Sequence, residues 1–168
     1  ADNTVRLWTR KQSSGIDGDN NAGDAENFEH VRVFTGHTRP VWDVNFSRCP
    51  QHSGYFFATA SSDQTACLYT VDRSHPVRVF KNEHRADVDR VMIHPNGNYL
   101  AAGTCSGVVH VWDVRTTSLK SQHLAQARSC LGPVNAIAFS TNGRLLAVAG
   151  EDTDILIWDF AYMAHPVA

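Results

Sequence analysis

Three apolar segments recur along this chain at nearly equal intervals, and that recurrence limits the possible folds more than any other feature. They occupy residues 40–46, 87–93 and 133–139, with Val41, Val88 and Val134 spaced 47 and 46 residues apart; Phe46, Ile93 and Phe139 keep the same offsets. A period of that length marks one supersecondary unit copied along the chain, each copy unable to bury its apolar face alone. Every copy has the same internal order. A first strand, a, leads to a turn, Asn96-Gly97 in the second unit and Asn142-Gly143 in the third. Such pairs supply the positive φ angles of a tight hairpin. Strand b follows at 55–60, 98–102 and 144–149, then strand c at 65–69, 108–112 and 154–158. Strand d is expected at 77–80 and, less clearly, around 118–123. No segment carries a long 3.6-residue period, so the sequence predicts an all-β fold of four-stranded units.

Four strands per unit of this size is the blade of a β-propeller. The units are expected at 37–83, 84–129 and 130–168, the last with an incomplete strand d. Residues 1–9 and 30–36 supply only strands c and d of a further unit, which makes about three and a half blades where closed rings have 4–8. The sequence therefore reads as part of a longer ring, with seven blades the expected count within that range. Residues 10–29, rich in Gly, Asn and acids, interrupt the period as a loop. A tolerated surface insertion and a partner-binding acidic loop are its two readings.

Composition removes several classes of function. With 15 Lys and Arg against 17 Asp and Glu, a net charge of -2, the chain is not built to hold nucleic acid by neutralising phosphates. Its four cysteines are widely separated, which favours a reducing compartment. The longest apolar run, 145–149, is far short of a membrane span, and the polar opening residues do not form a signal peptide. A soluble, intracellular chain is expected.

Thr35-Gly36-His37, Val111-Trp112-Asp113 and Ile157-Trp158-Asp159 resemble the GH and WD signatures of WD repeats. The resemblance covers nearly all of the chain outside 10–29. It implies a protein-interaction scaffold, not an enzyme, with no catalytic residue, metal or cofactor. In that family His, Ser or Thr, Asp and Trp form a hydrogen-bonded tetrad that satisfies each buried polar group in turn. Carried over here, the first full unit offers His37, Thr59 and Asp63, with Tyr69 in place of Trp. The second keeps His84 and Trp112, with Ala102 and Ser106 at the other positions; the third keeps Asp152 and Trp158, with Cys130 and Val148. No tetrad is complete.

A narrower group is visible within the family. Residues 40–44, 55–59, 63–66, 72–73, 76–80, 84–89 and 94–101 resemble the propeller subunits of the TFIID and SAGA transcription complexes. This implies a nuclear scaffold packed against histone-fold transcription subunits, without sequence-specific DNA binding, membrane contact or a small-molecule substrate. An adaptor in another complex, such as a ubiquitin-ligase substrate receptor, is the alternative.

The nine histidines lack the closely spaced ligand pairs of a zinc site, and no GxSxG, papain-like or phosphate-cradling motif occurs. His94, before Pro95, reads as a turn residue. Propellers gather their d–a and b–c loops on one face, which makes Arg39, Trp42, Ser62, Arg85, Asp87 and Glu151 the candidate partner contacts. For Trp42, burial within strand a is the competing expectation. For the charged residues it is plain solvation.

Overall fold

Short runs with alternating apolar residues hide their side chains only by pairing into sheets that then stack on one another. The computed structural model describes residues 2–11, 28–51, 54–81, 85–115, 122–128 (backbone only) and 132–160. There the chain forms four antiparallel sheets. β1 (Val5–Arg10) pairs with β2 (Phe28–Phe34). β3 (Val41–Phe46), β4 (Phe56–Ser61), β5 (Thr65–Thr70) and β6 (Arg78–Lys81) follow as one meander. β7 (Val88–Ile93), β8 (Tyr99–Thr104), β9 (Val108–Asp113) and β10 (Gln122–Arg128) form the next. β11 (Ala136–Phe139), β12 (Leu145–Ala149) and β13 (Ile155–Asp159) make the fourth sheet. The architecture is an arc of an all-β propeller. Gly97 and Gly143 turn the first hairpins of their sheets at φ 75° and 74°, and their N–H groups close on His94 and Ser140, both at 2.8 Å.

Two boundaries differ from expectation. The last strand of the third sheet is Gln122–Arg128, several residues beyond 118–123, because its register is set by pairing with β9, Gln122 lying opposite Asp113. The ends of the 10–29 segment are strand, since Arg10 pairs with Phe28 and Thr9 with Glu29. Its interior lies outside the described residues.

Cores form between successive sheets. Phe34 meets Phe57 edge-on at 4.7 Å between the first and second, and Phe57 stacks on Tyr69 at 5.2 Å. Between the second and third, Ala58, Ala60 and Phe80 lie against Val91, Leu100 and Trp112, all buried. Small residues on one sheet admit large ones from the next, as close packing requires. Leu146 and Val148 of the fourth sheet, with Val134 and Phe160 flanking it, bury against Ala101, Val109 and Val111 of the third.

Side chains also join the sheets directly. Asp43 Oδ2 accepts the Val91 N–H at 2.9 Å, and Asn45 Oδ1 accepts that of Ile93 at 3.1 Å. Arg90 Nε donates to the Asn135 carbonyl at 2.7 Å. At the opposite ends of the strands, Cys49 Sγ reaches the Asn96 carbonyl at 3.5 Å, and His94 Nε2 bonds the Gly143 carbonyl at 2.8 Å. His94 is thus a buried joint packed against Phe139 and Phe160, more than a turn residue.

Asp43→Ala removes the acceptor of the Val91 N–H. A loss of about 1–3 kcal/mol in denaturant unfolding is expected, with faster amide exchange at Val91. Unchanged exchange there would show that the side-chain bridge contributes nothing.

Candidate functional site

The d–a loops and b–c turns meet at one end of the sheets, held by their own hydrogen bonds. In the second sheet, His37 enters from the d–a loop after Gly36, whose φ of 141° and approach to Pro76 leave no room for a Cβ. Its Nδ1 lies 2.8 Å from Asp63 Oδ2 in the b–c turn, and its Nε2 is 2.6 Å from Thr59 Oγ1 on β4. The carboxylate favours a proton on Nδ1, so Nε2 accepts the Thr59 hydroxyl. Asp63 also accepts the N–H of Thr38 at 3.0 Å, the N–H of Thr65 at 3.1 Å and the Thr65 hydroxyl at 2.5 Å. Burial pushes the Asp63 carboxyl up, but the hydrogen bonds from Thr65, His37 and Thr38 outweigh it, so the group titrates below its ordinary range. The Cys67 thiol beneath is pushed up to about 12, chiefly by burial, and stays protonated at neutral pH.

Tyr69 does not take the place of a tetrad tryptophan. Its ring packs on Phe57, and its hydroxyl extends past Thr59 to donate to the Thr35 carbonyl at 3.3 Å. Thr59 Oγ1 instead lies 3.5 Å from the Cys67 carbonyl. In the third sheet Trp112 is buried and stacked on His110, while exposed Ser106 meets the Thr104 hydroxyl at 3.0 Å. Thr104, which the sequence reading passed over, bridges the turn by accepting the Val108 N–H at 3.2 Å. Asp152 and Trp158 are half-buried in the fourth sheet, the latter against its core. His84 and Cys130 lie outside the described residues.

Outward-facing groups sit above this network. The pairing of β3 with β4 skips a residue between Val41 and Asp43, leaving Trp42 on a bulge; Asp89 occupies the matching bulge on β7. A bulge re-aims its side chain. Trp42 is accordingly 57% exposed, which overturns the expectation that strand a buries it. Its indole N–H donates to Ser62 Oγ at 2.5 Å. Ser62 is itself buried and holds the Trp42 ring in place. Arg39 and Arg85 are exposed, the latter at φ 51°. Asp87 is half-buried, and its carbonyl takes the Cys105 N–H at 3.0 Å. Asp89, which sequence reasoning missed, has its carboxyl pushed up by burial and by Asp87. Glu151 is exposed and lies over Gly132, on the fourth sheet. The structure thus joins Trp42 with Ser62, places Arg85 and Asp87 at the start of the neighbouring sheet, and leaves Glu151 a sheet further on. Among the described residues, no group of three or more His, Cys, Asp or Glu could hold a metal, and no helix is long and apolar enough to cross a membrane.

The WD domain, G-beta repeat family matches residues 28–70, 74–113 and 123–159, which run from β2 of the first sheet to β13 of the fourth. The chain belongs to the WD-repeat family. WD-repeat relatives of different function resemble it. It is 34% identical to transcription initiation factor TFIID subunit 5 of Caenorhabditis elegans across 96% of this chain and 21% of that protein. It is 30% identical to pre-mRNA-processing factor 19 of Oryza sativa subsp. japonica, across 95% of this chain and 26% of the relative. Guanine nucleotide-binding protein subunit beta of Arabidopsis thaliana is 33% identical over 74% of this chain and 33% of its own length. The chain therefore spans a third or less of each of these WD proteins.

Proposed function

We propose that this chain is part of the WD propeller of a subunit in a nuclear transcription complex of the TFIID or SAGA kind, acting by protein contact and not by catalysis. The observation that carries the reading is the 34% identity with TFIID subunit 5, maintained over 96% of the chain. Residues 37–83, 84–129 and 130–168 serve as successive blades, joined to the partial blade of 1–9 and 30–36. The partners are histone-fold transcription subunits, and Trp42 with Arg39 is the first contact. An aromatic ring fixed by a hydrogen bond loses little entropy on binding, and Trp and Arg are the residue types that most often anchor interfaces. Arg85, Asp87 and Glu151 form the polar surround.

Affinity purification of the tagged full-length protein from its own cells tests both parts. Histone-fold transcription subunits should co-purify, and Trp42→Ala with Arg39→Glu should cut their recovery at least tenfold without shifting the melting temperature. Recovery of pre-mRNA-processing proteins or ubiquitin-ligase components in their place would reject the transcription reading. Undiminished recovery with the double variant would reject the surface.

A further inference from the structure

Two turns of this chain carry the same reactive dipeptide, Asn96-Gly97 and Asn142-Gly143. In such a pair the backbone nitrogen of the glycine can attack Cγ of the asparagine, because a residue without a Cβ leaves that nitrogen unshielded. A bond forms between the glycine nitrogen and Cγ, the bond from Cγ to the side-chain nitrogen breaks, and ammonia leaves with the proton of the glycine amide. Water then opens the five-membered imide at either carbonyl. The product is aspartate, or an isoaspartate whose backbone runs through the side chain. The attack needs a released glycine N–H and an asparagine side chain free to swing towards it, so local hydrogen bonds govern its rate.

The two turns hold the nucleophile alike and the electrophile differently. Gly97 N–H donates to the His94 carbonyl and Gly143 N–H to that of Ser140, both at 2.8 Å. Asn96 Oδ1 accepts the Asn98 N–H at 2.9 Å. Asn142 Oδ1 accepts the Arg144 N–H at 3.0 Å and also the Ser140 hydroxyl at 2.7 Å. That hydroxyl is oriented by the Leu145 N–H, which it accepts at 2.9 Å. Each added hydrogen bond must break before the attack and so lowers the reactive population. The Gly143 carbonyl is held as well, by His94 Nε2 at 2.8 Å, and Gly143 is buried against the imidazole. Asn96 is exposed, and with Gly97 and Asn98 it lines a cavity of about 480 Å³ between the second and third sheets. Room for the side chain to turn, and for water to reach the imide, exists on that side.

We propose that Asn96 is a site of spontaneous deamidation in the folded protein, while the same dipeptide at Asn142 is locked against it. The product alters a joint of the arc. In isoaspartate the backbone carbonyl that meets Cys49 Sγ at 3.5 Å becomes a free carboxylate, and the chain between residues 96 and 97 gains a methylene. Cys49 is buried, so a charge beside it is desolvated and the contact between the second and third sheets loosens. The site does not depend on which complex the protein joins.

Peptide mapping by mass spectrometry, after incubation of the full-length protein at mildly alkaline pH, is the test. In the folded protein Asn96 should convert at least tenfold faster than Asn142, and the melting temperature should fall as conversion proceeds. In denaturant the two should convert at similar rates, since the dipeptide is the same. Ser140→Ala removes the donor hydroxyl and should speed conversion of Asn142 at least threefold, with Asn96 unchanged. Equal rates at the two sites in the folded protein, a faster Asn142, or conversion of Asn96 only after unfolding would overturn the site.

Discussion

Asp63→Ala should be among the most costly single changes in this chain, lowering stability by about 3 kcal/mol in denaturant unfolding. The carboxylate accepts hydrogen bonds from His37, Thr38 and Thr65, two of them to backbone N–H groups. Its removal leaves buried donors unpaired, at about 1–3 kcal/mol for each group that water cannot reach. Ser106→Ala, at the matching position of the next sheet, should cost under about 0.5 kcal/mol, since Ser106 is exposed. Acid makes the same point with a sign. The folded-state pKa of Asp63 is lowered, so its contribution is complete above the unfolded value of about 3.9 and is lost as pH falls through the lower folded value. The wild-type protein should thus lose stability in that window, and the Asp63→Asn variant should lose less there. Equal costs at Asp63 and Ser106 would remove the network from the account of stability.

Gly103→Ala should destabilise to a similar degree, about 3 kcal/mol, for a reason unconnected with polar groups. A Cβ at this β8 position would stand 2.6 Å from Val134 Cβ and 3.0 Å from Ile137 Cδ1, in the core between the third and fourth sheets. Overpacking a close-packed interior costs about 1–3 kcal/mol, and more where the neighbour cannot turn away. Val134 is fully buried and β-branched, so its rotamers are few. The pair therefore has a clear double-mutant signature. Val134→Ala alone should be destabilising through the space it leaves, yet it should recover part of the loss caused by Gly103→Ala. Strictly additive losses in denaturant unfolding would mean that the two positions do not share that space.

The sequence expresses some parts of this structure and hides others. Val41, Val88 and Val134 announce the repeat because each unit must present the same apolar positions to its neighbours, and the meanders follow from that spacing. His37, Thr59 and Asp63 are legible as a group, and His37 lies within hydrogen-bond distance of both the others. For Trp42, a candidate contact, the competing expectation of burial fails because alternation along a strand assumes an unbroken register, and a single bulged residue reverses it. The same irregularity hid Asp89. A stricter comparison of each strand a with its own strand b, counting inward positions from both ends, would have exposed the extra residue. His94 was missed for a different cause. Its partners, Phe139, Phe160 and the Gly143 carbonyl, are brought close only by the stacking of neighbouring sheets.

Cys49 and His94 stand at successive joints of the arc, and they are not alike. The thiol lies against the Asn96-Gly97 turn, where a Cβ on Gly97 would be 3.1 Å from Cys49 Cβ. The imidazole lies against the Asn142-Gly143 turn, where a Cβ on Gly143 would fall 2.5 Å from Nε2. Two turns with the same dipeptide are thus fitted to different keys. Excising one whole repeat from this chain would preserve every hairpin and still confront a small thiol with a socket shaped for a ring. The order of the blades is written into their joints, so they are not interchangeable parts.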